Sequence, residues 1–431
     1  MTIYYDLTEL FRAERSRVRY YGIARVVAEV AYETNKLRDS VVWVVFDEVE
    51  GRFWQVAPKF GAASASGLVG LDMPGRAFPV PMHGARASEK PLRRFAGQIA
   101  NFYARLANAA NRKIRLRYLR PVRVGEGRFF TAARPKLAVG MLETLRKDKS
   151  PASVHVLLHD CFALHDFGPS ATAFQVNARD DNSVIVLAAD QLIANSQFTR
   201  QDLIAKASEG LLPPIHDLPV VRLAQECRPD GMVASIKLPE QPYILGVGMA
   251  LGRKNLDLVL EALQLILAAG QDPPLLVLAG AMRPRTLSGL LVGRYRGLGQ
   301  YVRMVVTPPQ ADLIELYKNA MATVVPSRLE GWGLPIGESL WLGTPVLAAL
   351  TSSLPEAGGE LAVYFGPDDA QMLATLIIRL RDEAGYRDKL AERIRDAKPT
   401  LRRWSEVASE MLATIESLDP TQDLPVAGSH H

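Results

Sequence analysis

The run PSRLEGWGLPIGESLWL, residues 326–342, combines a strand end, a glycine loop and a helix start. The apolar residues at 322–326 read as a buried strand. A loop then carries Glu330 with Gly331 and Gly333, and Pro335 opens a helix. Proline at a first helical position, with glycines where backbone must approach a ligand, is what an anion site at a helix N-terminus requires. The N–H groups at Gly333 and Leu334 suit a diphosphate. Glu338, in the helix's first turns, can accept two hydrogen bonds from a ribose diol, and Glu330 on the loop can face a sugar.

Outward from this stretch, strand-like runs at 243–247, 275–279, 301–306 and 345–349 alternate with helix-like segments. Asn255 can N-cap a helix whose Leu256, Val259, Leu260, Leu263, Ile266 and Leu267 face inward before Gly270 ends it. In the first half, residues 3–7, 41–46, 154–158 and 183–188 read as strands and 25–32 as a helix. Gly, Pro, Ala and Ser crowd residues 57–89, which reads as a long loop. The turn-rich RPDGMVASIKLPEQ, residues 228–241, reads as a linker with a boundary near 235. This rhythm predicts two α/β domains with parallel sheets. Ligands bind such sheets beyond the carboxyl ends of their strands, so the loops after Val247, Ala279, Val306 and Pro326 should converge on one crevice.

The 431 residues allow two or three domains, and 48% hydrophobic with 23% charged residues excludes disordered, collagen-like and coiled-coil classes. No apolar run approaches the roughly 18 residues of a membrane span. The opening MTIYYDLTEL lacks the basic, then apolar, pattern of a secretory signal, so a cytoplasmic location is expected. Cys161 and Cys227 stand far apart, which fits a reducing compartment. Residues 428–431 read as a tag remnant.

Charge is concentrated in one segment. Residues 86–128 hold twelve Lys or Arg against Glu89 and Glu126, a local +10 where the whole chain sums to +5. Leu92, Phe95, Ile99, Phe102, Leu106 and Ala110 recur at helical spacing before Arg112, Lys113, Arg115, Arg117 and Arg120. Apolar area combined with cations predicts contact with an anionic membrane or a lipid headgroup; the bland alternative is a solvated helix face. No recognisable nucleic-acid-binding module accompanies the charge, so no nucleic-acid partner is expected.

EGWGLPIGE, with seven residues between Glu330 and Glu338, resembles the E-x7-E signature of retaining GT-B glycosyltransferases of glycosyltransferase family four. YILGVGMALGRKNLDLVLEAL, LLVLAGA, DLIELYKNA, GTPVLAA, LPEAGGELAVYF and WSEVASEML resemble that family's C-terminal domain in order. YYDLTEL, YGIARVV, HVLLHDCFALHDFG and LIANSQFTRQDL resemble its N-terminal domain more thinly. The whole is similar to members that build bacterial polysaccharides from activated mannose, rhamnose and related sugars. The resemblance implies an α/β GT-B fold of two Rossmann-like parallel-sheet domains facing an interdomain cleft. Residues 1–235 would bind acceptor, 236–400 the nucleotide sugar, and 401–418 would return as a helix to the N-terminal domain. It implies that Arg253 and Lys254 hold the donor diphosphate with the backbone at Gly248, Gly333 and Leu334. Glu338 would take the ribose and Glu330 would sit beside the transferred sugar. His159 and Asp160 would lie near that sugar, and Gly22 would belong to the loop passing close to donor or acceptor. Catalysis would fall to Glu330 and His159, with a nucleotide-diphosphate sugar as co-substrate and no metal or cofactor. Met249 and Ala250 stand where many members carry an arginine, which leaves the clamp to Arg253 and Lys254.

Other readings fare worse. His155, His159, Cys161 and His165 fall within eleven residues, but strand residues four apart lie about 13 Å from each other, too far to share one zinc ion. There is no Asp-x-Asp pair for a metal-bound donor, and Gly246, Gly248 and Gly252 miss the G-x-G-x-x-G spacing by one residue. A glycosidase would use two carboxylates without an Arg-Lys diphosphate loop. A GT-B nucleotide-sugar epimerase and a non-catalytic GT-B scaffold subunit stay open, because fold does not separate them from a transferase.

Overall fold

The computed structural model describes residues 1–13, 22–48, 51–60, 70–71, 95–96, 99, 102–103, 106, 120–165, 172–229, 231–280 and 284–417. The first sheet contains β1 (Ile3–Asp6), β2 (Val41–Asp47), β3 (Arg52–Gln55), β6 (Arg120–Val122), β7 (Arg128–Thr131), β8 (Ser153–Leu158) and β9 (Gln191–Ala194). β4 (Pro58–Lys59) and β5 (Gly70–Leu71) form a separate antiparallel pair inside the stretch read as a loop. Strand order in the first sheet is β6-β3-β2-β1-β7-β8-β9, parallel except at the β3 and β6 edge.

The second sheet is wholly parallel, in the order β12-β11-β10-β13-β14-β15. Its strands are β10 (Tyr243–Val247), β11 (Leu275–Gly280), β12 (Val302–Val306), β13 (Ala322–Val325), β14 (Val346–Ala349) and β15 (Val363–Phe365). Every residue of β13 and β14 is buried, which is why these strands read as unbroken apolar runs.

Four readings change. Residues 183–188 are not a strand: they end the helix Thr172–Ala188, and the strand that follows is β9. Within that helix Asn182 and Ile185 face inward while Leu187 is exposed, a helical spacing that a six-residue apolar run cannot announce alone. Asp190 makes the turn, its carboxylate accepting from the Val154 N–H at 2.7 Å. Asn255 occupies the N-cap position but makes no capping bond. It adopts φ 53° and donates from Nδ2 to the Pro326 and Pro367 carbonyls, tying two loops together. Arg128, counted in the basic segment, is buried in β7 and adds nothing to a charged surface. The long-loop reading of 57–89 fails at β4 and β5; most of its remainder lies outside the described residues, as do the tag remnant at 428–431, Leu92, Ala110, Arg112, Lys113, Arg115 and Arg117.

Between the sheets, the described residues of 228–241 form neither helix nor strand. Arg228 ties this segment to the N-terminal domain through Glu33 at 2.6 Å, Glu226 at 2.7 Å and Glu29 at 3.4 Å. Burial pushes the Glu29 carboxyl up to about 7 against the pull of Arg228 and Arg25. The last described helix, Trp404–Ser417, packs on the helix Ile23–Leu37, with an Arg38 to Glu416 ion pair at 2.8 Å.

Candidate functional site

At the carboxyl end of β10 the chain turns at Gly248, whose φ of 63° favours glycine and whose N–H donates to the Ala279 carbonyl at 2.8 Å. Met249 fills the space over Gly246, where an added Cβ would meet its sulfur at 2.6 Å, so this position points inward and offers nothing to an anion. Arg253 and Lys254 follow on the short turn Gly252–Lys254.

Both cations close on Glu330. Arg253 donates from one guanidinium nitrogen to the Glu330 carboxylate at 2.9 Å and to the Leu329 carbonyl at 2.6 Å. Lys254 Nζ donates to the other carboxylate oxygen, and Ser327 Oγ adds a bond of 2.7 Å. Burial alone would raise the Glu330 pKa, but Lys254 and Arg253 outweigh it and hold the group down at about 2. The Arg253 guanidinium also lies 4.5 Å over the Phe162 ring from the other domain. Gly333, at φ 102°, is the N-cap of the helix Leu334–Trp341, as the glycine and proline pattern requires.

From the N-terminal sheet, His159 and Asp160 leave β8 and meet this loop. A Cβ on Gly331 would lie 1.7 Å from the His159 carbonyl oxygen and 3.2 Å from Asp160 Cβ. Thr199 Oγ1 donates to the Gly331 carbonyl at 3.2 Å. The Glu356 carboxylate accepts the N–H groups of Gln197 and Phe198 at 2.8 and 2.7 Å, at the N-terminus of the helix Gln197–Ser208. His159 is buried, its Nε2 donating to the Ala132 carbonyl at 2.7 Å, and burial lowers its pKa against that bond. The ring is therefore neutral with its proton on Nε2. Burial pushes the Asp160 carboxyl up to about 6, opposed first by Arg253.

Glu338 lies deeper. Tyr317 donates to one of its oxygens at 2.6 Å and Arg25 to the other, and Arg25 also reaches Gln310. Gly22, at φ 57°, starts the helix that presents Arg25. The structure thus brings Arg253, Lys254, Glu330, His159 and Asp160 together. It places Glu338 in a buried cross-domain pair and Gly22 at an exposed turn. Sequence reasoning missed Arg25, Tyr317, Thr199 and Glu356. The signal for Arg25 was a cation inside the apolar run Ala24, Val26, Val27 and Ala28, all of them buried.

Gly331→Ala should separate the two loops, because a methyl group cannot share space with the His159 carbonyl. Small-angle scattering should register an expanded particle with secondary structure preserved by circular dichroism; an unchanged radius would show that the loops yield locally instead.

Residues 232–397 match the family described as Glycosyl transferases group 1. A D-inositol 3-phosphate glycosyltransferase of Thermomonospora curvata is 32% identical over 267 residues, 57% of this chain and 61% of that protein. O-antigen chain mannosyltransferase B of Escherichia coli is 31% identical over 183 residues, 39% of this chain and 44% of that protein. The matched part thus covers less than two thirds of either relative. Among solved structures, sucrose-phosphate synthase from Thermosynechococcus elongatus superposes with a TM-score of 0.61 at 17% identity, over 96% of this chain and 98% of that one. Anabaena HepE in complex with UDP and glucose gives 0.61 at 17% identity, over 97% and 100%. At such identity the shared architecture is what carries over.

Proposed function

We propose, for a chain whose residues 232–397 match the family of glycosyl transferases group 1 and whose two α/β domains build the GT-B fold, a retaining hexosyltransferase. It moves a mannose- or rhamnose-like sugar from a nucleoside-diphosphate donor to a growing bacterial surface glycan or lipid-linked acceptor. The observation that carries this reading is the Glu330 carboxylate clasped by Arg253 and Lys254 against the His159 and Asp160 loop. Glu330 pairs with both cations and offsets one of their two charges. A donor diphosphate takes them over, releasing the carboxylate toward the sugar hydroxyls. The bond from the anomeric carbon to the diphosphate oxygen then breaks with its electron pair on that oxygen, where Arg253 and Lys254 stabilise the charge. The acceptor oxygen bonds to the anomeric carbon and its proton passes to the departing diphosphate.

The test is incubation of the full chain with a panel of sugar nucleotides and glycan acceptors, with the anomeric configuration of donor and product read by NMR. A glycoside of the donor's configuration is expected. An inverted glycoside would end the retaining assignment, an epimerised sugar nucleotide without glycoside would make the protein an epimerase, and donor binding without turnover would make it a scaffold. Omitting magnesium and manganese should leave the rate unchanged, since cationic side chains and helix N–H groups serve the leaving group; a rate that returns only with manganese would contradict this.

The acceptor lies at an anionic membrane on the cytoplasmic face. Phe95, Ile99, Phe102, Tyr103 and Leu106 are helical, 43–66% exposed and spaced to share one face, beside the basic run of the sequence. Among the described residues no helix is long and apolar enough to cross a membrane, so contact would be peripheral. Each basic residue near such a surface contributes about 1 kcal/mol before salt screening. In liposome sedimentation, anionic vesicles should retain the protein at low salt and release it at high salt. Glu substitutions at Arg112, Lys113, Arg115 and Arg117 should abolish retention; equal sedimentation of wild type and variant would leave the segment a solvated face.

A further inference from the structure

Cys161, His165 and Asp202 come together on the N-terminal domain beside the His159 and Asp160 loop. One donor atom from each lies within 4.8 Å of the others. Cys161 Sγ stands 2.9 Å from an Asp202 oxygen, and His165 Nε2 stands 2.8 Å from the same carboxylate. The spacing argument against a zinc site applied strand geometry to His155, His159, Cys161 and His165. It holds for His155, which binds Gln191 and Ser153, and for His159, which binds the Ala132 carbonyl. It fails for Cys161 and His165, because the chain leaves β8 at Leu158 and the short turn Phe162–Leu164 folds His165 back toward Cys161. The third group comes from the helix Gln197–Ser208, 37 residues further on.

We propose that Cys161, His165 and Asp202 form a zinc site with one position left for water. Thiolate, imidazole and carboxylate are the donors that zinc accepts, and bond lengths of about 2.0–2.3 Å place tetrahedral donors about 3.3–3.7 Å apart. The two separations from Asp202, 2.9 and 2.8 Å, reach that geometry by widening less than 1 Å. The charges suit a buried ion: a thiolate and a carboxylate neutralise Zn2+, and the imidazole binds uncharged. Cys161 is 2% exposed, whereas the His165 side chain is 26% exposed, so the ligand and water exchange side is at His165. On binding, the Cys161 thiol proton leaves to solvent, one per zinc, and the sulfur–hydrogen bond is replaced by a sulfur–zinc bond; the proton that His165 Nε2 directs at Asp202 is exchanged for one on Nδ1, so Nε2 binds the ion as an uncharged imidazole with no further release. The ion would staple the turn carrying Phe162, on which Arg253 rests, to the helix Gln197–Ser208. It is separate from leaving-group chemistry, which falls to Arg253 and Lys254.

The experiment uses the full chain and zinc or cobalt chloride, with His430 and His431 present in every variant. Wild type should bind one zinc by calorimetry in two buffers of different ionisation enthalpy, releasing one proton. Cobalt should give a thiolate charge-transfer band with the visible bands of a tetrahedral centre. Cys161→Ser should lose the charge-transfer band, and Asp202→Asn should weaken zinc at least tenfold, while Cys227→Ser changes neither; circular dichroism establishes that each variant is folded. No stoichiometric zinc on wild type, or a cobalt thiolate band that survives Cys161→Ser, would overturn the site and leave a hydrogen-bonded triad. Neither result bears on the transferase reading, which is tested by product analysis.

Discussion

Glu330→Gln should lower turnover about 10²- to 10³-fold while tightening the binding of free nucleoside diphosphate. The substitution keeps size and most hydrogen-bonding capacity but removes the charge that Arg253 and Lys254 now neutralise. Those cations then meet an incoming diphosphate without an internal competitor, so affinity rises. The sugar loses a carboxylate that favours developing positive charge, so the chemical step slows. The pH behaviour follows from the sign of the shift. The Glu330 carboxyl is depressed from 4.5 to about 2, so its contribution to stability is fully present above 4.5 and is lost only as pH falls through about 2. Its ionisation in the free protein therefore places no limb on the kcat/KM profile above about pH 5. Titration of UDP and GDP by calorimetry, beside kcat and KM, is the measurement. A variant with unchanged kcat and a raised KM would move Glu330 from the reacting centre to donor binding alone.

Arg25→Met should cost about 3–5 kcal/mol of stability, because it leaves Glu338 buried without its cation. Arg25 is 5% exposed, and its guanidinium spans two domains, touching Glu338 on the helix Leu334–Trp341 and Gln310 on the helix Gln310–Asn319. Burial works against its charge, but Glu338 together with Cys227, Glu29 and Tyr317 more than compensates and raises the pKa. Urea denaturation should show the loss, and the double variant Arg25→Met with Glu338→Gln should recover part of it, since removing both charges avoids the orphaned carboxylate. A loss under about 1 kcal/mol would mean that Tyr317 and solvent satisfy Glu338 unaided. If Glu338 takes the donor ribose, as its place in the E-x7-E pattern implies, the ribose hydroxyls would share a carboxylate that Arg25 and Tyr317 already hold.

The sequence by itself determined the parallel second sheet, because strands buried on both faces leave unbroken apolar runs such as those of β13 and β14, whereas the antiparallel β3 and β6 edge of the first sheet was not legible in it. It also determined the glycine at the start of the helix Leu334–Trp341, where φ is 102°, and the local spacing of Glu330 from Glu338. These features are written within one turn or one strand. Residues 183–188 were illegible for the opposite reason: six apolar residues fit a strand or the end of an amphipathic helix, and only the packing of Asn182 and Ile185 chooses. Which partners meet across the molecule was decided by tertiary structure alone. Glu330 could be read as a sugar-facing acid, but not that it would be clasped by Arg253 and Lys254. Nothing local to YGIARVV says that Arg25 reaches a carboxylate 313 positions away, or that Asp202 completes a cluster with Cys161 and His165. Such contacts depend on how two sheets and their crossover helices are placed in space, and hydrophobic periodicity fixes which face of a helix is buried without fixing what that face meets.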